Sequence, residues 1–337
     1  MASDSDYPPP LIVPPRLLPH KQTFILLHGR GSSGDKFGPV LLDTPISAAA
    51  PHHSDRDGTN DPSPSDHSPT VVQTLATIFP HARFVFPTAA RRRATIYRRA
   101  RIHQWFDNWA LDAPPAPNAT VAATREALQV PGLRETTTHV HDLLRAEIAI
   151  AGGGAASRVV LGGLSQGCAA ALVALLLWEG PPLAGALGMC GWLPPAGKLA
   201  EEAAKGVEDD PEEVEDEELD DDDDDIFDRG DESEGEGYGP AARALQWFRD
   251  ELELPGADDR VKAAGSALLH TPIFLGHGVE DDRVNVVLGR DAAACLEGLG
   301  AQTVVWSEYE GLAHWYSGPM LRDIVEFLDK KTDIKLD

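Results

Sequence analysis

The stretch "LGGLSQGCAA", Leu161–Ala170, sets a lone serine, Ser165, between Gly163 and Gly167. A β-rich run precedes it and an apolar helical run follows. A serine at such a strand-to-helix turn exposes its hydroxyl from a strained backbone, and small neighbours prevent clashes in the bend. The helix that follows aims its N-terminus at the site, where developing negative charge is favoured. The amide of the next residue, Gln166, is placed to serve an oxyanion hole. The same five residues also suit a plain tight turn, so the pentapeptide alone leaves the chemistry open.

A serine hydroxyl is a weak nucleophile and needs a base. Downstream, "HGVEDDRV" (His277–Val284) offers two aspartates, Asp281 and Asp282, and "YEGLAHWY" (Tyr309–Tyr316) offers His314. Serine, acid and histidine thus occur in an order used by strand-borne hydrolytic triads. Their joint occurrence is far more specific than any one of them. Upstream, "LLHGRGSSG" (Leu26–Gly34) carries glycines that let backbone amides approach an oxyanion. It lacks the G-x-x-x-x-G-K-[ST] spacing of a phosphate loop, so a nucleotide reading is weak.

These residues need elements to hold them. Candidate strands are Thr23–Gly29, Arg83–Pro87, Arg158–Gly163, Leu183–Trp192, Thr271–Gly278 and Gln302–Gly311. Several are apolar throughout, as strands buried on both faces of a parallel sheet are. Helical patterns lie between and after them, at Glu135–Ile150, Cys168–Trp178, Asn285–Leu299 and Pro319–Lys330. The alternation predicts an open, mostly parallel α/β sheet, which binds ligands at the carboxyl ends of its strands. Every motif above follows such an end.

Composition bounds the alternatives. The chain has 337 residues and an apolar fraction of 42%, enough for a sizeable core. Its longest apolar run, Cys168–Trp178, is well short of the roughly 20 residues of a membrane span, so stable membrane insertion is not expected. The N-terminus has early acids and many prolines and does not read as a secretory signal. Three cysteines without CxxC spacing argue against a disulfide framework or a zinc site. A cytoplasmic protein is expected.

Net charge is −25, but 22 of the acidic residues fall in 201–236. The remainder is only mildly acidic, so the overall charge says little about substrates. The acidic tract Lys198–Gly239 is expected to be disordered, with "ARALQWFRDELEL" forming a short amphipathic helix after it. Thr44–Thr70 reads as a flexible insertion; its His52, His53 and His67 have no carboxylate or cysteine framework around them. Both segments interrupt one domain spanning 8–335. "RRRATIYRRAR" (Arg91–Arg101) packs six arginines into eleven residues. Without a nucleic-acid-binding module it reads as a solvated loop, one that could pair with the acidic tract, and no nucleic-acid partner is expected.

The assembled set resembles the acyl-protein thioesterase/carboxylesterase (phospholipase/carboxylesterase) family of α/β-hydrolases. It rests on "PPPLIVPP", "ILLHGRGSSGDKF", "FVFPTA", "QWFDNW", "LGGLSQG", "GWLP", "HGVEDDRV" and "YEGLAHWY", which occur in family order. The resemblance implies Ser165 as nucleophile, His314 as base and Asp281 as the acid, with Asp282 an adjacent rival. It implies an oxyanion hole from the amides of Arg30 and Gln166. Gly29, Gly31, Trp105, Phe106 and Trp192 would lie against substrate, and Leu111–Val130 would fall at an acyl channel. The implied reaction is hydrolysis of carboxylic esters or thioesters through an acyl-serine, without metal or organic cofactor. Lysophospholipid, small ester and S-acylated protein all fit as substrates. The rival readings are a dienelactone-hydrolase-like enzyme, which would want cysteine as nucleophile, and a non-catalytic scaffold binding a basic partner through the acidic tract.

The chain departs from that family at several places, among them Asp282, which stands where the family has proline after the acid. Cys168 replaces a glycine after the elbow, and is small and apolar enough for the helix. Arg30 stands where leucine is common; its backbone alone is needed, though its side chain could reach a substrate head group. Leu111–Val130 is rich in small residues, which argues against a palmitoyl-length chain.

Overall fold

Apolar runs too uniform to alternate between core and solvent must be buried on both sides, and the strands are. In the computed structural model, Gln22–Leu27, Val159–Leu164 and Ile273–Gly278 are buried at every position. The structure describes residues 7–46, 72–113, 116–150, 155–205, 239–254, 265 and 267–334. In chain order the strands are β1 (Leu11–Val13), β2 (Gln22–Leu27), β3 (Ala82–Phe86), β4 (Arg91–Ala94), β5 (Ala100–His103), β6 (Val159–Leu164), β7 (Gly185–Met189), β8 (Ile273–Gly278) and β9 (Val304–Tyr309). The helices are α1 (Gly34–Asp43), α2 (Leu75–Ile78), α3 (Ala119–Ala127), α4 (Val130–Ile150), α5 (Gln166–Leu176), α6 (Ala196–Ala204), α7 (Pro240–Glu251), α8 (Val286–Gly298) and α9 (Gly318–Lys331).

Seven strands form one sheet in the order β1-β3-β2-β6-β7-β8-β9. Only β1 runs antiparallel, pairing Leu11–Val13 with Phe86–Phe84. Successive residues of a strand face opposite sides. Accordingly Ile25 and Leu27 join the core with α4, α5, α7 and α8, while Phe24 and Leu26 join the core with α1 and α9. This is the α/β-hydrolase arrangement, a mostly parallel sheet with helices on both faces. Because β2, β6, β7, β8 and β9 are mutually parallel, their carboxyl ends share one edge.

The structure corrects several expectations. The arginine run is no loop: it forms an antiparallel hairpin, β4 with β5, pairing Arg92 with Ile102 and Arg93 with Arg101. Arg92 is drawn inward, 2.5 Å from the Glu135 carboxylate of α4 and donating to the Tyr7 hydroxyl at 3.0 Å. Pairing of this run with the acidic tract concerns residues outside those described. Of Lys198–Gly239, the residues Lys198–Ala204 are helical as part of α6, and 206–238 lie outside the described residues. The return helix is present as α7. His52, His53, His67 and most of Thr44–Thr70 also lie outside the described residues.

Candidate active site

Ser165 sits between the last residue of β6 and the first of α5, with φ 58° and ψ −122°. A non-glycine residue there stores on the order of 1–3 kcal/mol of strain. The bend holds because neighbouring elements over-determine it. The Ser165 amide donates to the Met189 carbonyl at 2.8 Å and its carbonyl accepts from Ala169 at 3.1 Å. The flanking glycines are required by space. A Cβ on Gly167 would stand 2.3 Å from the Leu27 carbonyl oxygen, and one on Gly163 would stand 2.4 Å from the Gly167 backbone.

His314 follows β9 and spans the gap to both partners. Its Nε2 lies 2.8 Å from Ser165 Oγ and its Nδ1 lies 2.7 Å from Asp281 Oδ2. The carboxylate can only accept, so Nδ1 carries the proton and Nε2 is free to accept from the hydroxyl. Asp281 follows β8, and its side chain is wholly buried. Its Oδ1 accepts from the amides of Arg283 and Val284, each at 2.9 Å. Burial alone would raise its pKa. Hydrogen bonds from His277, His314, Val284 and Arg283 outweigh that and hold the carboxyl well below the usual carboxylate range. Asp282 is exposed and lies on the cavity wall. The choice between the two aspartates, open in the sequence, falls geometrically to Asp281.

His277, at the end of β8, had no role in the sequence reading. Its Nε2 stands 2.8 Å from the Val284 carbonyl and 3.1 Å from Asp281 Oδ2. Both neighbours are oxygens, so Nε2 must carry the proton. Cys190, His277 and Asp281 bring donor atoms within 4.8 Å of one another. As a metal centre the trio is poorly suited. The Asp281 oxygens are already engaged, and burial, with the Asp281 charge beside it, pushes the Cys190 thiol up to about 12, away from the thiolate a metal needs.

A cavity of about 820 Å³ opens over Ser165 and His314, walled by Gly29, Arg30, Gln166 and Trp192 among others. Gln166 begins α5, where an amide has no intrahelical acceptor. A second cavity of about 900 Å³ shares Leu111 and Trp192 with the first. Trp109, Leu111, Glu126 and Gln129 line it, together with Ala200 and Ala203 of α6 and Leu288 and Cys295 of α8. Within the expected acyl-channel loop, residues Ala119–Ala127 are helical.

Three expected substrate contacts are not on the cavity wall. Trp105 and Phe106 are fully buried, and their work is framing. Trp105 Nε1 donates to the His28 carbonyl at 2.7 Å. The Gln166 side chain clips both residues: its Oε1 accepts from Trp105 N at 3.0 Å and its Nε2 donates to Phe106 O at 2.7 Å. Gly31 uses its φ of +79° to turn the chain so that its amide reaches the His103 carbonyl at 2.8 Å. His28 was also unread. Its Nε2 accepts from Ala89 N, its Nδ1 donates to Gly29 O, and burial pushes its pKa down to about 4. Cys168 behaves as expected of a packed thiol: burial raises it to about 12, and its sulfur fills the space left by Gly188 and Gly191.

A mostly parallel sheet with a serine elbow, an acid and a histidine at one edge defines an α/β-hydrolase. The chain belongs to the phospholipase/carboxylesterase family, whose model matches residues 63–211 and 259–332. It is 21% identical over 308 residues to acyl-protein thioesterase 1 of Candida albicans, covering 91% of each chain. Among solved structures, Zea mays acyl-protein thioesterase 2 superposes with a TM-score of 0.55 at 19% identity, over 95% of this chain and 96% of that one. Esterase PE8 gives 0.55 at 18% identity, over 96% and 98%. These structural likenesses establish the fold. Family membership supports ester or thioester hydrolysis as the class of activity. No helix among the described residues is long and apolar enough to cross a membrane.

Proposed function

We propose that this protein hydrolyses carboxylic esters or thioesters through an acyl-Ser165 intermediate. The observation that carries the reading is the relay in which His314 bridges Ser165 at 2.8 Å and Asp281 at 2.7 Å. His314 Nε2 takes the hydroxyl proton as Oγ bonds to the acyl carbon. Negative charge then gathers on the carbonyl oxygen, facing the amides of Arg30 and Gln166. Each such donor is worth roughly 2.7–4 kcal/mol in hydrolases where one has been removed. Asp281 stays ionised and stabilises the imidazolium. Collapse of the adduct breaks the bond to oxygen or sulfur, and the leaving group takes the proton from His314. Water, deprotonated by His314, then attacks the acyl-serine and releases the acid.

The substrate is an acylated small molecule, lysophospholipid or protein. The chamber beside Trp192 supports room for an acyl chain of several carbons. Much of the chamber wall comes from α6 and α8, outside Leu111–Val130, whose small-residue composition argues against a palmitoyl-length chain. Hydrolysis of paired esters and thioesters with acyl chains of graded length tests the reading. Wild-type protein is expected to turn over at least one series, and Ser165→Ala to lose about 10³-fold or more. Turnover unchanged in Ser165→Ala would overturn it.

A further inference from the structure

Arg30 does more in this cavity than offer an amide. Arg30 is half-buried and is one of the residues that wall the cavity opening over Ser165. Its side-chain partner is a neutral one, the Asn108 carbonyl oxygen, to which Nη2 donates. Its Nε is buried without a hydrogen-bond partner, and so is the Asn108 Nδ2. Among the described residues no carboxylate forms an ion pair with Arg30. A guanidinium withdrawn from water without an anion is costly, and native structures ordinarily pair it. The nearby carboxylate, Asp107, is committed elsewhere: it accepts from Thr95 N at 2.9 Å and from Thr95 Oγ1 at 2.6 Å.

The rest of the wall fits the same ligand chemistry. Tyr97, at the tip of the arginine hairpin, lines the cavity and brings a hydroxyl donor, and Arg283 lines it from beyond β8. Asp112 and Asp282 also line it; they are exposed, as Tyr97 and Arg283 are, so water screens all four, and Arg30 is the half-buried charge among them. A half-buried guanidinium acts through a lower effective dielectric and dominates at short range.

We propose that Arg30 forms an anion subsite within the substrate cavity, so that the preferred ester or thioester carries a carboxylate or phosphate group that the guanidinium binds. This rests on the hydrolase reading above and narrows it. Arg30 would act as a specificity residue through its side chain, separately from its amide. The anion has two possible sources: a carboxylate at the far end of the acyl chain, or a phosphate on the alcohol side.

The test compares kcat/KM for two pairs: monoethyl adipate against ethyl heptanoate, and lysophosphatidate against monoacylglycerol. Wild-type protein is expected to favour the anionic member of one pair at least tenfold, chiefly through KM. That preference should fall as salt rises. The pair that responds identifies the source. Arg30→Leu should bring the ratio close to one, and Arg30→Lys should restore part of it. A merely structural Arg30 would depress both members of a pair alike and leave the ratio where it was. Binding of adipate and of glycerol 3-phosphate, followed by tryptophan fluorescence, reads the subsite without turnover. At least one should bind saturably and weaken tenfold or more in Arg30→Leu. A ratio near one in wild type, or a preference that survives Arg30→Leu, overturns the subsite. So does the absence of saturable binding by either anion. If neutral esters are still hydrolysed and Ser165→Ala is inactive, the hydrolase reading stands without it.

Discussion

His277 and Asp281 meet at 3.1 Å beneath the candidate triad, four residues apart at the end of β8. The contact comes from the tight turn after the strand, in which Asp281 Oδ1 also receives two backbone amides. One carboxylate oxygen is thereby fixed by the turn, and the other is shared between two histidines. In the proposed reaction His277 is a positioning residue, acting on Ser165 only through Asp281 and His314.

Removing it should therefore slow chemistry rather than binding. A hydrogen bond to a charged group is worth about 1.5–3 kcal/mol. His277→Ala is expected to lower kcat by roughly 10–100-fold with little change in KM, and His277→Gln, which keeps a donor, to recover part of it. Steady-state kinetics across pH checks this. An equal rise in KM with kcat intact would mark His277 as a substrate contact instead.

Gln166 joins the elbow to the Trp105–Phe106 segment through two buried hydrogen bonds. Gln166→Ala leaves one amide and one carbonyl buried and unpaired, at a cost of about 2–4 kcal/mol. Chemical denaturation should record that loss. A stability within 0.5 kcal/mol or so of wild type would mean that water replaces the side chain.

The elbow glycines make a steric prediction. In Gly167→Ala the new methyl meets the Leu27 carbonyl oxygen of β2 at 2.3 Å. Backbone cannot yield there without opening the β2–β6 pairing, so the variant should lose roughly 1–3 kcal/mol or more, and activity with it. Thermal unfolding and esterase assays would report both; normal values for each would mean that β2 moves freely.

Acid should destabilise the fold through buried histidines. Burial pushes His28 and His141 down to about 4. Between that value and the ordinary one near 6.5, the unfolded chain binds protons that the native rings refuse. Stability therefore rises with pH through this window. Each ring contributes roughly 1.4 kcal/mol per pH unit. The urea midpoint should fall from pH 7 to pH 5, and less steeply in His141→Asn. A midpoint independent of pH would show that neither ring is held neutral.

Most of the sheet was legible because parallel strands buried on both faces read as unbroken apolar runs. β1 was not: its three residues lie among prolines at the sheet edge, Leu11 and Val13 half-buried and Ile12 exposed. Nor was α1, which carries Pro39 within it. The β4–β5 hairpin hid behind its arginines, since charge pattern signals solvation and says nothing of a partner such as Glu135. Chain order was enough to select Ser165 and His314. It could not separate Asp281 from Asp282, because adjacent acids differ only in which way the turn points them. Trp105 and Phe106 were placed near the site but on the wrong side of its wall, because residue type does not distinguish a frame from a lining.

The central claim is that Ser165 is an activated nucleophile, and a fluorophosphonate probe reads that directly. Incubation of the full chain followed by peptide mapping should find one phosphonyl adduct, on Ser165, that forms at neutral pH and is lost in Ser165→Ala and His314→Ala. An unlabelled wild-type protein, or an adduct that persists in Ser165→Ala, would contradict it.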